Sequence, residues 1–232
     1  MSDGGFARAG TRQRFFVWLM TRLAARYDHE LGERKRDLFA GLRGTVLEIG
    51  PGTGSSLAFL PPQARWVGLE PNPAMHPPLL REAQRLGREV ELRRGFAHDT
   101  GLPDASVDAV LSSLVLCSVR DPAATLAELR RVLRPGGILV YLEHIAAPRG
   151  TLLRRAQGLV RPAWRWAFDN CHPDRETVEA IEDAGFERVE LQRFAGPLPV
   201  PFIRPHAIGV ARRPHDASPL GGSSRGRPAP GR

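Results

Sequence analysis

From about residue 45 to residue 212, short apolar runs alternate with longer amphipathic stretches. Residues 46–49 and 66–69 are too short for helices and are closely followed by acids, glycines and prolines, so they read as buried strands. Residues 90–94 alternate Val90, Leu92 and Arg94 with polar neighbours and predict a third strand. Residues 107–112 and 138–143 are nearly all apolar, as strands covered on both faces should be. Residues 189–194 and 207–211 complete the set. Helical patterns lie between the strands, over residues 55–60, 74–86 and 152–168. Another helix opens with Asp121 as N-cap and Pro122 in the first turn, and Arg134-Pro135-Gly136-Gly137 stops it. A further one is expected to start from a cap at Asp174 and end at Gly185.

Strands alternating with helices predict an α/β fold, a Rossmann-like doubly wound seven-stranded sheet that is mostly parallel. Residues 199–205 leave no room for a crossover helix before the final strand, so the last strand should run antiparallel. Residues 1–44 form an N-terminal helical cap segment in this reading, with one or two helices over residues 11–42. Residues 45–212 form the α/β domain. Residues 1–11 and the Arg/Pro/Gly-rich residues 213–232 are expected to be disordered.

Ligands of such sheets bind beyond the carboxyl ends of the strands. Glu48, Gly50, Glu70, Ser112 and Glu143 share that edge. The run Val46-Leu47-Glu48-Ile49-Gly50-Pro51-Gly52-Thr53-Gly54 ends a strand in an acid and a loop with alternate glycines, which lets backbone approach a ligand closely. This is not the G-x-G-x-x-G dinucleotide spacing. A carboxylate before the first glycine repels a pyrophosphate but suits a cation. S-adenosylmethionine carries an ammonium and a sulfonium and no phosphate, so it is the expected cofactor. Glu70 ends the second strand, at about the 20-residue interval of a ribose-binding acid. The backbone at Gly50, Gly52, Thr53 and Gly54 is expected to face the methionine portion and the sugar. Glu48 would orient the amino group, and Ser112 or Ser113 would offer it a carbonyl.

The net charge of +8 suggests an anionic partner, but Lys35 is the only lysine among 33 basic residues and the arginines are scattered. Coding bias explains such a skew, so nucleic acid is not the expected partner. Cys117 and Cys171 lack metal-motif spacing and fit a reducing cytosol, with no disulfide scaffold. Residues 15–20 form an apolar run flanked by arginines, too short to span a bilayer. That helix either lies on an anionic membrane surface or packs over the cofactor domain and closes its pocket, the second being preferred. The expected location is cytoplasmic, with peripheral membrane contact as the alternative.

Several ordered motifs over residues 45–212 resemble the class I S-adenosylmethionine-dependent methyltransferases. They are the glycine loop, Leu69-Glu70-Pro71-Asn72-Pro73, Gly95-Phe96-Ala97-His98, Ser106-Val107-Asp108-Ala109-Val110 and Leu133-Arg134-Pro135-Gly136-Gly137. The resemblance implies that Pro71 and Asn72 accompany the ribose acid and that Ala97 and His98 border the adenine. A narrower set is similar to the methyltransferase-like alkyl-thiol methyltransferases. It comprises Leu114-Val115-Leu116-Cys117-Ser118-Val119, Leu142-Glu143-His144-Ile145-Ala146-Ala147, Pro162-Ala163-Trp164, Phe168-Asp169-Asn170-Cys171 and Arg204-Pro205-His206. The implied reaction is in-line methyl transfer to a small, lipophilic acceptor, a thiol by preference. An amine or hydroxyl of a phospholipid headgroup or secondary metabolite is the alternative, and a non-catalytic cofactor-binding protein the third reading. His144 follows the fifth strand and is the candidate base for a thiol, ahead of His172 and His206.

Overall fold

The computed structural model describes residues 11–215. The expected disorder of residues 1–10 and of residues 216–232 lies outside the described residues. The strands are β1 (Thr45–Ile49), β2 (Arg65–Leu69), β3 (Glu91–Arg93), β4 (Val107–Ser113), β5 (Leu133–His144), β6 (Glu187–Ala195) and β7 (Pro205–Arg212). They form one sheet in the order β3-β2-β1-β4-β5-β7-β6. β1 to β5 run parallel, and β7 is antiparallel to both β5 and β6. The short connection before β7 allows no other sense. Strand order reverses between β1 and β4, which opens the ligand crevice there.

Successive strand residues point to opposite faces, and both faces are covered. Leu47, Ile49, Val67, Leu69 and Tyr141 pack with Leu126 and Leu129 of α3 (Pro122–Val132) and Ile181 of α5 (Thr177–Asp183). Val46, Trp66, Leu111 and Val140 face the other way, onto Phe39, Leu57 and Leu79. Leu79 lies in α2 (His76–Arg85) and Phe39 ends α1 (Thr11–Phe39). Burial on two sides removes any need for polar alternation, so the strands read as unbroken apolar runs.

The N-terminal stretch is a single 29-residue helix. Tyr27 and Leu31 pack on Leu142 of β5 and Ile208 of β7. The His206 ring is held at both nitrogens. Its Nδ1 lies 2.9 Å from the Arg204 carbonyl, which only accepts, so Nδ1 carries the proton. Nε2 therefore accepts the Tyr27 hydroxyl at 3.0 Å.

Three local expectations change. Asp174 does not cap α5: its carboxylate takes Arg161 at 3.2 Å, and Glu176 stands at the N-cap without a side-chain capping bond, its carboxylate accepting from Arg149 and Arg154 instead. The segment Arg134–Gly137 does end α3, but it is absorbed into β5, because Gly136 and Gly137 exchange backbone hydrogen bonds with Arg213 and lengthen the β5–β7 ladder. Arg213, the first residue of the expected tail, also donates to the carbonyls of Arg130, Arg131 and Leu133 at the end of α3. Asp121 caps α3 as expected, accepting from the Ala124 N–H at 2.9 Å.

Tyr27→Phe leaves His206 Nε2 buried and unsatisfied, a loss of about 1–3 kcal/mol. At ~2–4 °C per kcal/mol for a chain of this size, calorimetry should show a melting temperature lowered by several degrees. An unchanged value would mean that this bond does not hold α1 to the sheet.

Candidate active site

The glycine loop leaves β1 with φ of +54° at Gly50, +57° at Gly52 and +83° at Gly54, a left-handed region that only glycine enters without strain. A Cβ on Gly50 would stand 2.7 Å from Val115 Cγ2, so the loop after β4 presses directly on this turn. A Cβ on Gly52 would meet nothing within 4 Å. The loop is packed on one side and open on the other. Thr53 lies in it, and a short 3₁₀ turn over Ser55–Phe59 follows in place of a regular helix.

Glu70 reaches back across the parallel pair to this loop. Its two carboxylate oxygens accept the N–H groups of Gly52 at 2.9 Å and Asn72 at 2.8 Å. Burial raises its pKa, and those two backbone bonds pull it back. Asn72 Oδ1 in turn accepts the Ala74 N–H at 3.0 Å, which sets the turn that Pro71 begins. Glu48 is engaged on the other face of the sheet, where its Oε2 accepts the indole N–H of Trp66 at 2.8 Å. The Trp66 ring lies over Gly68, where a Cβ would come within 2.0 Å of it. Burial pushes Glu48 up to about 7, although Trp66, Ser56 and the charge of Lys35 lower it.

Sequence reasoning placed Glu143 on the ligand edge but gave it no role. Its buried carboxylate accepts the Ser112 hydroxyl at 2.6 Å and the N–H groups of Val115 and Leu116, each at 3.1 Å. The Cys117 N–H adds a longer contact at 3.4 Å. Ser112 thus turns its side chain to Glu143, and Ser113 pairs with Leu142 in the ladder. An acid inside an otherwise apolar run was the available signal. At the other end of the crevice, Ala97 packs on the core, and the rings of Phe96 and His98 stack with centroids 5.6 Å apart.

His144 is buried. Its Nε2 lies 2.9 Å from Cys171 Sγ, which is 3.9 Å from Cys117 Sγ and also receives the Trp164 indole N–H at 3.3 Å. Trp164 belongs to α4 (Leu152–Ala167) and stacks on Phe168 with centroids 3.9 Å apart. Cys117 and its hydrogen bond lower the Cys171 thiol pKa, with His144 adding to the effect against burial. Burial disfavours a charged His144, but Cys171 outweighs it and the net shift is upward. His206 has both ring nitrogens occupied, and burial lowers its pKa to about 4. Burial and the nearby arginine Arg175 likewise lower His172 to about 4. The cysteines, which lack metal-motif spacing in the sequence, therefore belong with His144 in one polar cluster. A groove of about 670 Å³ between α3 and α5 contains none of these residues.

Two strand-end acids and a loop open above Gly52 fit an aminoacyl nucleoside cation such as S-adenosylmethionine. A methyltransferase domain model matches residues 47–141. The chain is 34% identical over 212 residues to human thiol S-methyltransferase TMT1A, covering 86% of each protein. It is 35% identical over 210 residues to human TMT1B, covering 85% of each. In fold it resembles the geranyl diphosphate C-methyltransferase of Streptomyces coelicolor A3(2), solved with S-adenosyl-L-homocysteine, at a TM-score of 0.65, 18% identity and 80% coverage of each chain. No helix among the described residues is long and apolar enough to cross a membrane. The family match, the likeness over most of both chains and the sheet order agree, and the chain belongs to the class I S-adenosylmethionine-dependent methyltransferases, close to the alkyl-thiol subfamily.

Proposed function

We propose that this enzyme methylates the sulfur of a small, lipophilic thiol. Likeness to the two thiol S-methyltransferases along nearly the whole chain carries this reading. S-adenosylmethionine supplies a sulfonium-activated methyl group, so the protein's tasks are alignment and exclusion of water. Gly50, Gly52, Thr53 and Gly54 give the cofactor its backbone bed. Glu70 holds the ribose by exchanging its bonds to the Gly52 and Asn72 N–H groups for hydroxyls, with Pro71 fixing the turn. Glu48 answers the ammonium through its charge, Ser112 and Ser113 offer carbonyls, and Ala97 and His98 border the adenine. The acceptor enters over β4 and β5, where Trp164, Phe168 and Phe202 form an aromatic group. The α1 helix caps that side through Tyr27 and Leu31, which pack against Leu142. A thiol must lose its proton to react well, and His144 is the residue the sequence offers for that step. Its position against Cys171 bears directly on how the step is done.

Three outcomes are expected. Glu70→Gln removes a charged acceptor worth about 1.5–3 kcal/mol, so calorimetric affinity for the cofactor should fall roughly tenfold or more; an unchanged affinity removes the ribose role. Glu48, raised by burial from its ordinary 4.5 to about 7, favours folding in its protonated form. The stability it contributes is complete below pH 4.5 and is lost as pH rises through 7, a change on the order of 3 kcal/mol. Glu48→Gln should therefore gain stability relative to the parent between pH 5 and pH 8 in thermal scans, and a constant difference would refute the buried, neutral carboxyl. Finally, methyl-labelled cofactor offered with a small alkyl thiol and with phosphatidylethanolamine vesicles should place label on sulfur. Label on the lipid amine alone would overturn the thiol reading.

A further inference from the structure

Three soft or borderline donors from separate elements meet under α4. Cys117 follows β4, His144 ends β5, and Cys171 follows α4. All three are buried, and one donor atom from each lies within 4.8 Å of the other two. The two sulfurs are free thiols 3.9 Å apart. Two thiolates on tetrahedral zinc, with Zn–S bonds of ~2.3 Å, stand about 3.8 Å apart. The His144–Cys171 contact of 2.9 Å is shorter than a ligand–ligand edge, and it is the hydrogen bond that an ion between them would replace. His144 Nδ1 is buried with no hydrogen-bond partner, so the ring has unused bonding capacity inside the protein.

The donors are held in place by other parts of the chain. The N–H of His172 donates to the Cys117 carbonyl at 2.9 Å, and Asn170 Nδ2 donates to the Ser118 carbonyl at 2.8 Å. Arg175 clamps the carbonyls of Leu116 and Val119 at 2.8 and 2.7 Å. The segment carrying Cys171 is thereby laced to the loop carrying Cys117. The Trp164 N–H on Cys171 Sγ is the kind of outer contact that tunes a metal thiolate.

We propose that Cys117, His144 and Cys171 bind one soft divalent cation, zinc by choice of donors, and leave its fourth position to the acceptor thiolate. Thiolates and imidazole select such an ion over magnesium or calcium. Binding releases both cysteine protons, and the resulting site of one dication and two thiolates is neutral, which suits its burial. Three protein ligands with one open position are the pattern of a catalytic zinc site. An incoming thiol gives up its proton to solvent on coordination, and His144 serves as ligand instead of base. This rests on the thiol reading above, whereas the ion-binding part stands without it.

The test uses the full chain, purified under reductant and stripped with a chelator, then titrated with cobalt(II). We expect a thiolate-to-cobalt charge-transfer band and the strong visible bands of four-coordinate cobalt, saturating at a single ion per chain. Cys117→Ser and Cys171→Ser should lose the charge-transfer band severalfold, and His144→Ala should weaken binding at least tenfold. Retained calorimetric binding of S-adenosylmethionine by each variant would show that it folds. No band in the parent protein, or an unchanged band in the cysteine variants, overturns the site. Added alkyl thiol should shift the visible bands where an alcohol of the same length does not, and the lack of any shift overturns the fourth-position role. Full thiol methylation by the metal-stripped enzyme would refute the ion's role toward the acceptor and leave the thiol reading intact. A thiol-shifted spectrum without S-methyl product would do the reverse.

Discussion

The buried carboxylate of Glu143 is the contact on which the crevice depends. Taking an acid out of water costs several kcal/mol unless donors surround it. Here the Ser112 hydroxyl and successive backbone N–H groups of the loop after β4 do so. Those bonds fix a segment whose first residue, Leu114, sits at φ +60° and would not hold that turn unaided. With the loop fixed, Val115 lies against Gly50 and Cys117 lies beside Cys171. One carboxylate therefore joins the glycine loop after β1 to the segments that carry Cys117 and Cys171.

Glu70 plays the matching part between β1 and β2. Its oxygens are satisfied by loop N–H groups, which hold the glycine turn in shape. Groups already bonded in this way are exchanged at less cost than groups left bare and buried. Glu48 differs, since burial raises its pKa to about 7 and its oxygen is held by the Trp66 indole. Two acids at the ends of neighbouring strands thus have different electrostatic surroundings.

The part of the crevice over β5 and β7 is built by contacts of long range. Tyr27 on α1 meets His206 on β7, and Trp164 on α4 reaches Cys171. Helices that cover the crevice are thereby tied to the strands that form it, which favours excluding water from the methyl transfer.

Period and punctuation along the chain were enough to determine the seven strands, the antiparallel sense of the last, the glycine loop and its two acids. Each is a local property: apolar run length, glycine spacing, or a connection too short for a helix. Arg134–Gly137 and Asp174 were misjudged in detail because their partners, Arg213 and Arg161, come from elsewhere in the sequence. The meeting of Cys117, His144 and Cys171 was decided by tertiary structure alone. The three are separated by 27 and 27 positions, far outside any metal-motif spacing, and only the parallel pairing of β4 with β5 and the return of the chain after α4 bring them together. Local sequence encodes which residues are buried; which buried residues touch depends on the order in which the strands assemble.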